Sequence, residues 1–252
     1  MRPQRSLHSA LKSRLDEPIE EPEVSPNVEM YLKTIVRLHS GKEPVSTSEI
    51  ASELAVSAAS ASAMLKKLDN DGYVKHDGRH GVFPTASGAR IGALTLRRQR
   101  LAERLLVDHF GIPWEFAHSE ACRLEHAISP LVERHLARFT GEPSTCPHGH
   151  PIPREDGSLW KHADAIDLVD LPAGISAKVL SVQHDMPELL KYLAEINLRP
   201  GTTVVVEKFE RALGLLTLRV NGKHHAVSTK LAGAILVKNP GGKDGTRGKT
   251  RA

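Results

Sequence analysis

The amino-acid sequence predicts an α+β chain in three folded parts: a winged helix-turn-helix, a run of longer helices, and a C-terminal β-barrel of SH3-like size. Three observations predict it. Apolar residues recur at helical spacing from Val28 and give way, after a pair of short helices, to a Gly-containing hairpin. Helical periodicity then returns in longer stretches to about residue 139. From 165 to 238 the pattern changes to short strand-like runs rich in Val, Ile, Leu and Thr.

Residues 1–25, rich in Pro, Glu and Arg, are expected to be disordered. Val28, Tyr31, Leu32, Ile35, Val36 and Leu38 share one helical face, and Gly41 and Pro44 end that helix. Ser46-Thr47-Ser48-Glu49 has the form of an N-terminal cap before Ile50, Ala51 and Leu54. Val56-Ser57 makes a turn, and Ser57 caps a second helix over 58–70 that buries Ala61, Met64, Leu65 and Leu68. Asp71-Gly72 stops it. Short strands at 73–76 and 82–85 flank the turn Asp77-Gly78-Arg79-His80-Gly81. This order is a winged helix-turn-helix, assigned to residues 26–92.

Helices follow at about 85–110, 114–127 and 130–139, with Gly111-Ile112-Pro113 as a break and Pro130 in a first turn. They define a helical domain at 93–140. Residues 141–164 form a Pro-rich bend or linker, since four prolines between Gly141 and Gly157 exclude a helix. Strands at 177–180, 202–208, 215–220 and 234–237, with a helix at 187–196, build the barrel of residues 165–238. Residues 239–252 are a basic tail, expected to be disordered.

In 252 residues, 40% are hydrophobic and 25% charged, the balance of a globular chain with a core. No stretch approaches the roughly 18 apolar residues of a membrane helix. The N-terminus has no signal-peptide pattern, so a cytoplasmic location is expected. Cys122 and Cys146 are too few for a disulfide scaffold and read as thiols with packing or metal roles. A net charge of +4 suits nucleic acid without deciding for it.

The second helix of a helix-turn-helix enters the major groove, where short polar side chains near its start touch phosphates and base edges. Ser57, Ser60 and Ser62 lie close to one face, and Ala59 leaves room for close approach. Thr47 opens the preceding helix. Lys66, Lys67, Arg79 and His80 are candidates for phosphate contact. The first two turns carry no Arg, Asn or Gln, the residues of bidentate base contacts, so shape and contacts to thymine methyl groups should carry much of the specificity. The alternative is a helix-turn-helix used only for protein contacts.

The sharpest chemical signal is His118-Ser-Glu120-Ala-Cys122-Arg-Leu-Glu125-His126. On a helix, Cys122, Glu125 and His126 at i, i+3 and i+4 point the same way. Thiolate, carboxylate and imidazole together suit a borderline transition metal. His118 stands one turn back, and Gln99 and Glu103 are i, i+4 neighbours on the preceding helix, so two adjacent metal sites could form. Chance spacing is the competing explanation. A water-activating metal is another, but with neither a His-Glu-x-x-His motif nor a carboxylate dyad no enzyme is expected.

The segments Val28-Glu29-Met30-Tyr31-Leu32-Lys33-Thr34-Ile35, Arg100-Leu-Ala-Glu103-Arg-Leu-Leu, Glu120-Ala-Cys122-Arg-Leu-Glu125-His126-Ala-Ile-Ser129 and Gly149-His150-Pro151-Ile152-Pro153 resemble those of the diphtheria-toxin-repressor and iron-dependent-regulator family, which includes manganese sensors. The resemblance spans about residues 27–157, with a looser match in the barrel. It implies a winged helix, an all-helical dimerisation domain and an SH3-like domain. It also implies a homodimer that binds a palindromic operator in double-stranded DNA when loaded with Fe²⁺ or Mn²⁺, as a repressor of metal-homeostasis genes. Met30, Cys122, Glu125 and His126 would form the primary site. Its soft sulfur ligands favour Fe²⁺ over Mn²⁺, and Co²⁺, Ni²⁺ and Zn²⁺ would substitute in vitro.

The resemblance implies an ancillary site from Glu103 and His118, with Gln99 where a histidine is usual, and an anion held by Arg100. Cys146 and His150 stand at the other anion-holding places, and His150 is expected to replace the missing histidine. His184 is the candidate from the barrel. Ala59 and Ala63 stand where the family carries proline and glutamine, so its operator preference does not transfer. Two other readings stay open: a winged-helix regulator whose metal site is vestigial or structural and which answers to another ligand, and a metalloenzyme.

Overall fold

The computed structural model describes residues 23–39, 41, 43–77, 80–183 and 186–241. They form two compact units. One comprises the chain through Leu105, Ser119–Pro143 and Ile152–Leu159; the other comprises Leu106–His118, Ser144–Pro151 and the chain from Trp160.

In the first unit, α1 (Pro26–Leu38) starts on Ser25, whose hydroxyl accepts from Val28 N, with Pro26 at the first helical position. Order therefore reaches into the segment expected to be disordered through residue 25, because Val24 packs on the core and Ser25 serves as the cap. Residues 1–22 lie outside the described residues. Ser46 and Glu49 close a reciprocal capping box on α2 (Thr47–Glu53). Ser57 caps α3 (Ala58–Asn70). The wing pairs β1 (Val74–Asp77) with β2 (Gly81–Pro84), Val74 opposite Pro84 and Asp77 opposite Gly81. The core beneath them joins Leu32, Ile35, Ile50, Leu65, Leu68 and Val82.

Helix α4 (Ala86–Arg104) crosses α1 at Gly92, where a Cβ would sit 2.4 Å from the Leu32 carbonyl oxygen. Only glycine permits that approach. The helix stops earlier than the expected 110: a π-helical turn follows at Leu105–His109, and Ile112 N donates to Leu106 O to close it. Helix α5 (Trp114–Leu124) likewise ends before the expected 127, and Glu125–Ala127 form a 3-10 turn. The reason lies just downstream. Pro130 opens α6 (Pro130–Phe139) and bars Ser129 from helical geometry; Ser129 instead caps α6. With Ile128 already extended, the last turn before it tightens to i→i+3 bonding. Leu101, Leu136, Ala137 and Ile152 form a second core in this unit.

The second unit holds β3 (Ala165–Asp167), β4 (Ser176–Val182), α7 (Pro187–Glu195), β5 (Thr203–Glu210), β6 (Leu215–Val220), β7 (Lys223–Ser228), α8 (Thr229–Ala232) and β8 (Ile235–Lys238). Its antiparallel sheet has the order β3-β8-β4-β5-β6-β7. Irregular register at Val179/Ser181 and Val206/Lys208 marks bulges, the usual device for curling an SH3-like sheet. Val179, Leu190, Leu193, Leu198, Val206 and Leu218 anchor its core. The Pro-rich segment lies along β4: Val182 N donates to His148 O, and Gly149, at φ +86°, has its Cα side against the Leu180 carbonyl. Asn239, expected in the disordered tail, donates from its backbone to Asp164 O, so order extends slightly past the barrel. Residues 242–252 lie outside the described residues.

Candidate metal centre and DNA-reading surface

The centre lies within the first unit, where α1 meets the turn after α5. Glu29 and Lys33 are one helical turn apart on α1 and face the 122–126 segment. Lys33 Nζ lies 2.5 Å from Glu125 Oε1 and 3.8 Å from Cys122 Sγ. Glu125 is fully buried and Lys33 nearly so. His126 Nδ1 lies 2.5 Å from Glu29 Oε2, and its Nε2 lies 3.2 Å from Glu125 Oε1. Cys122 and Glu125 meet the same ammonium because residues three apart lie on the same side of a helical turn.

The Glu29 contact makes Nδ1 of His126 a donor: Nδ1–H donates to the Glu29 carboxylate. Nε2 is buried, faces a carboxylate oxygen and has no hydrogen-bond partner among the described residues. A carboxylate on the far ring nitrogen is the usual way to orient a metal-ligating imidazole. Thiol, buried carboxylate and a buried imidazole nitrogen fit a divalent transition metal, and the Lys33 ammonium stands among them as a positive charge.

A chain of ion pairs backs the centre. Arg98 Nη1 lies 3.4 Å from Glu29 Oε1, Arg98 Nε donates to Glu133 Oε2 at 3.1 Å, and Arg97 Nε donates to Glu133 Oε1 at 2.7 Å. Glu29 and Lys33 escaped the sequence reading. An i, i+4 Glu–Lys pair normally reads as a solvated helix face, and only the burial of α1 from Tyr31 through Val36 contradicts that. Met30 follows Glu29 on α1, about 60° round the axis from Lys33, and is 38% exposed.

Of the other expected ligands, Gln99 and Glu103 are buried in the first unit, with Gln99 Nε2 donating to Glu103 Oε1 at 3.3 Å. Arg100 beside them is half-buried. In the second unit, His118 and His150 are half-buried, and the His150 carbonyl accepts from Cys146 N. Buried Cys146 shares its tight turn with buried His148, their ligand atoms within 4.8 Å of each other. The sequence reading passed over His148. Its ring stacks on Trp114 at 5.2 Å and its Nε2–H donates to Trp114 O at 2.9 Å. His184 and Arg79 lie outside the described residues.

On the DNA-reading element, Ala59, Ser60, Ala63, Lys66 and Lys67 are exposed, while Ser62 and Thr47 are half-buried. Ser57 is exposed, but its hydroxyl accepts from Ser60 N at 3.1 Å and lies 2.9 Å from Ser60 Oγ. Capping thus occupies Ser57 first. The outward face of α3 is small, weakly polar and edged by two lysines. Such a face suits close approach to a groove. No described helix is long and apolar enough to cross a membrane.

Comparison with known proteins fits these features. Residues 23–82 match the family model "Iron dependent repressor, N-terminal DNA binding domain", residues 85–154 its "metal binding and dimerisation domain", and residues 166–239 the FeoA domain. The iron-dependent repressor IdeR of Mycobacterium tuberculosis is 35% identical over 199 residues, covering 73% of this chain and 85% of the relative. The diphtheria toxin repressor of Corynebacterium diphtheriae is 30% identical over 219 residues, covering 83% and 96%. A manganese-dependent transcriptional repressor in complex with manganese superposes with a TM-score of 0.77 at 31% identity, covering 84% of this chain and 99% of that one. With a curated relative above 30% identity over most of both chains, this chain belongs to the iron-dependent repressor family.

Proposed function

We infer that this protein is a metal-activated transcriptional repressor that binds double-stranded DNA as a homodimer. The observation that carries this reading is the gathering of Cys122, Glu125 and His126 against the first helix of the winged-helix domain. Cys122, Glu125, His126 and Met30 of α1 would hold the metal. Bound, a divalent cation supplies a coordinate cross-link between α1 and the turn after α5. Glu29 orients the imidazole and fixes its tautomer, and Arg98 steadies Glu29. Because Leu32 and Ile35 of α1 share one core with Ile50, Leu65, Leu68 and Val82, the pose of α1 carries the winged helix with it.

A ligand changes a conformational equilibrium only through unequal affinity for its states. Here the unequal term is the ligand set, which needs a particular placement of α1. In a dimer on a palindrome, that placement fixes the separation of the two α3 helices to about one turn of DNA, roughly 34 Å. Lys66 and Lys67 supply phosphate contacts; Ala59, Ser60 and Ala63 approach the bases. Two sulfur ligands favour Fe²⁺ over Mn²⁺ as the signal. Relatives of both kinds are known, an iron-dependent repressor and a manganese-dependent one.

Gel shifts with promoter DNA under reducing conditions test the reading. Chelation should release the DNA, and Fe²⁺ should restore the complex at lower free concentration than Mn²⁺, Co²⁺ or Zn²⁺. DNA binding indifferent to chelator would reject metal activation. A lower threshold for Mn²⁺ would reject the iron preference.

A further inference from the structure

The centre described above holds a group that none of the ligand roles accounts for. Lys33 places its ammonium 2.5 Å from one prospective ligand atom and 3.8 Å from another, in a setting where its side chain is 8% exposed and that of Glu125 is 0% exposed. A metal bound through Glu125 and Cys122 would lie within a few ångströms of that positive charge. At such range in a partly buried site two cations repel strongly. The ammonium and the metal therefore compete for the same atoms.

We propose that Lys33 is a built-in counter-cation of this centre, which metal must displace, and that it thereby sets the metal concentration at which the protein responds. The structure supplies both halves of the trade. Without metal, a fully buried carboxylate needs a positive partner, and Lys33 provides it while tying α1 to the 125 turn. With metal, the flexible four-carbon stem lets the ammonium leave for solvent without moving the helix. The cost of breaking that pair is subtracted from the intrinsic affinity of the ligands. Lys33 thus keeps the ligands assembled and, at the same time, keeps the site from filling at trace metal. An arginine would hold Glu125 more firmly through two parallel hydrogen bonds, and a methionine would not hold it electrostatically at all.

The inference rests on the metal-centre reading, and its tests separate the two. Cobalt titration of the full-length protein reads the thiolate–cobalt absorption band. Lys33→Met should bind Co²⁺ at least about tenfold more tightly than wild type, and Lys33→Arg no more tightly than wild type. The metal-free Lys33→Met protein should also melt at lower temperature, widening the shift that cobalt produces. Equal or weaker cobalt binding by Lys33→Met would overturn the inference while leaving the metal centre standing. If Cys122→Ala shows the same cobalt affinity and the same band as wild type, the metal-centre reading itself fails. A second measurement avoids any folding defect in the variants: amine acylation of wild-type protein followed by mass spectrometry. Labelling of Lys33 should rise severalfold on saturation with Co²⁺, relative to Lys208, whose side chain is 67% exposed. Unchanged or reduced labelling means that Lys33 is not displaced, and the proposal falls.

Discussion

At the scale of single residues, the centre is a balance of buried charges. Glu125 is fully buried, and its carboxylate meets the Lys33 ammonium. Removing a ligand should separate metal response from folding. Cys122→Ala deletes a half-buried thiol and should abolish metal-dependent operator binding while the protein remains a folded dimer. Glu125→Ala should do the same at a cost of about 2 kcal/mol in metal-free stability. This is less than the full penalty for a stranded buried charge, because Lys33 can carry its ammonium to water. Gel shifts with and without metal, paired with urea unfolding and light scattering, check both variants. Metal-dependent shifts that survive in either would count against the ligand assignment.

Elements owe their starts and stops to short-range chemistry. The capping box on α2 is the clearest case: Ser46 N and Oγ both donate to Glu49 Oε2, and Glu49 N donates back to Ser46 Oγ. Hydrogen bonds from the Ser46 side chain, and then from its backbone, hold the Glu49 carboxyl below its ordinary value of 4.5. A carboxyl whose pKa is lower in the folded state stabilises that state above the unfolded pKa. The stabilisation is lost as pH falls through the folded value. Ser46→Ala should therefore cost about 1 kcal/mol near neutral pH, and the gap to wild type should narrow below about pH 4. Urea unfolding at the two pH values measures it; a gap independent of pH would mean that the Glu49 charge contributes nothing to the cap. The same element scale shows where sequence patterns stop short. Strands β3 and β7 escaped notice because they are the edges of the sheet. Lys223–Ser228 reads Lys-His-His-Ala-Val-Ser and is largely exposed, the polar character expected of an edge strand and one that hides it from a search for apolar runs.

For the whole molecule, the question is how two copies come together. Helix α6 buries Leu136 and Ala137 and leaves Val132 and Phe139, two turns apart on one side, 49% and 63% exposed. Leu124 and Leu131 nearby are also exposed. Such a concentration of apolar surface on the segment matched by a metal-binding and dimerisation family model is a natural site for self-association. The pair Val132→Glu and Phe139→Glu should shift the protein from dimer to monomer in light scattering and weaken operator binding by at least about tenfold, since one recognition helix then works alone. A double variant that stays dimeric would place the interface elsewhere.

The sequence by itself determined the parts of this protein that depend on neighbours along the chain. The caps at Ser46 and Ser57 and the first-turn Pro130 set helix starts, period and glycine marked the recognition helix at 58–70, and the order of elements was enough to recognise a winged helix. The cluster of Cys122, Glu125 and His126 was legible for the same reason. Tertiary structure decided what those ligands face. Lys33 and Glu29 lie 92 and 97 positions from their partners, and no periodicity encodes a pairing over that distance. It arises because Gly92 lets α1 lie close on α4 and so brings its charged face onto the turn that follows α5. Burial then turns an ordinary helical Glu–Lys spacing into an orienting carboxylate and a competing cation.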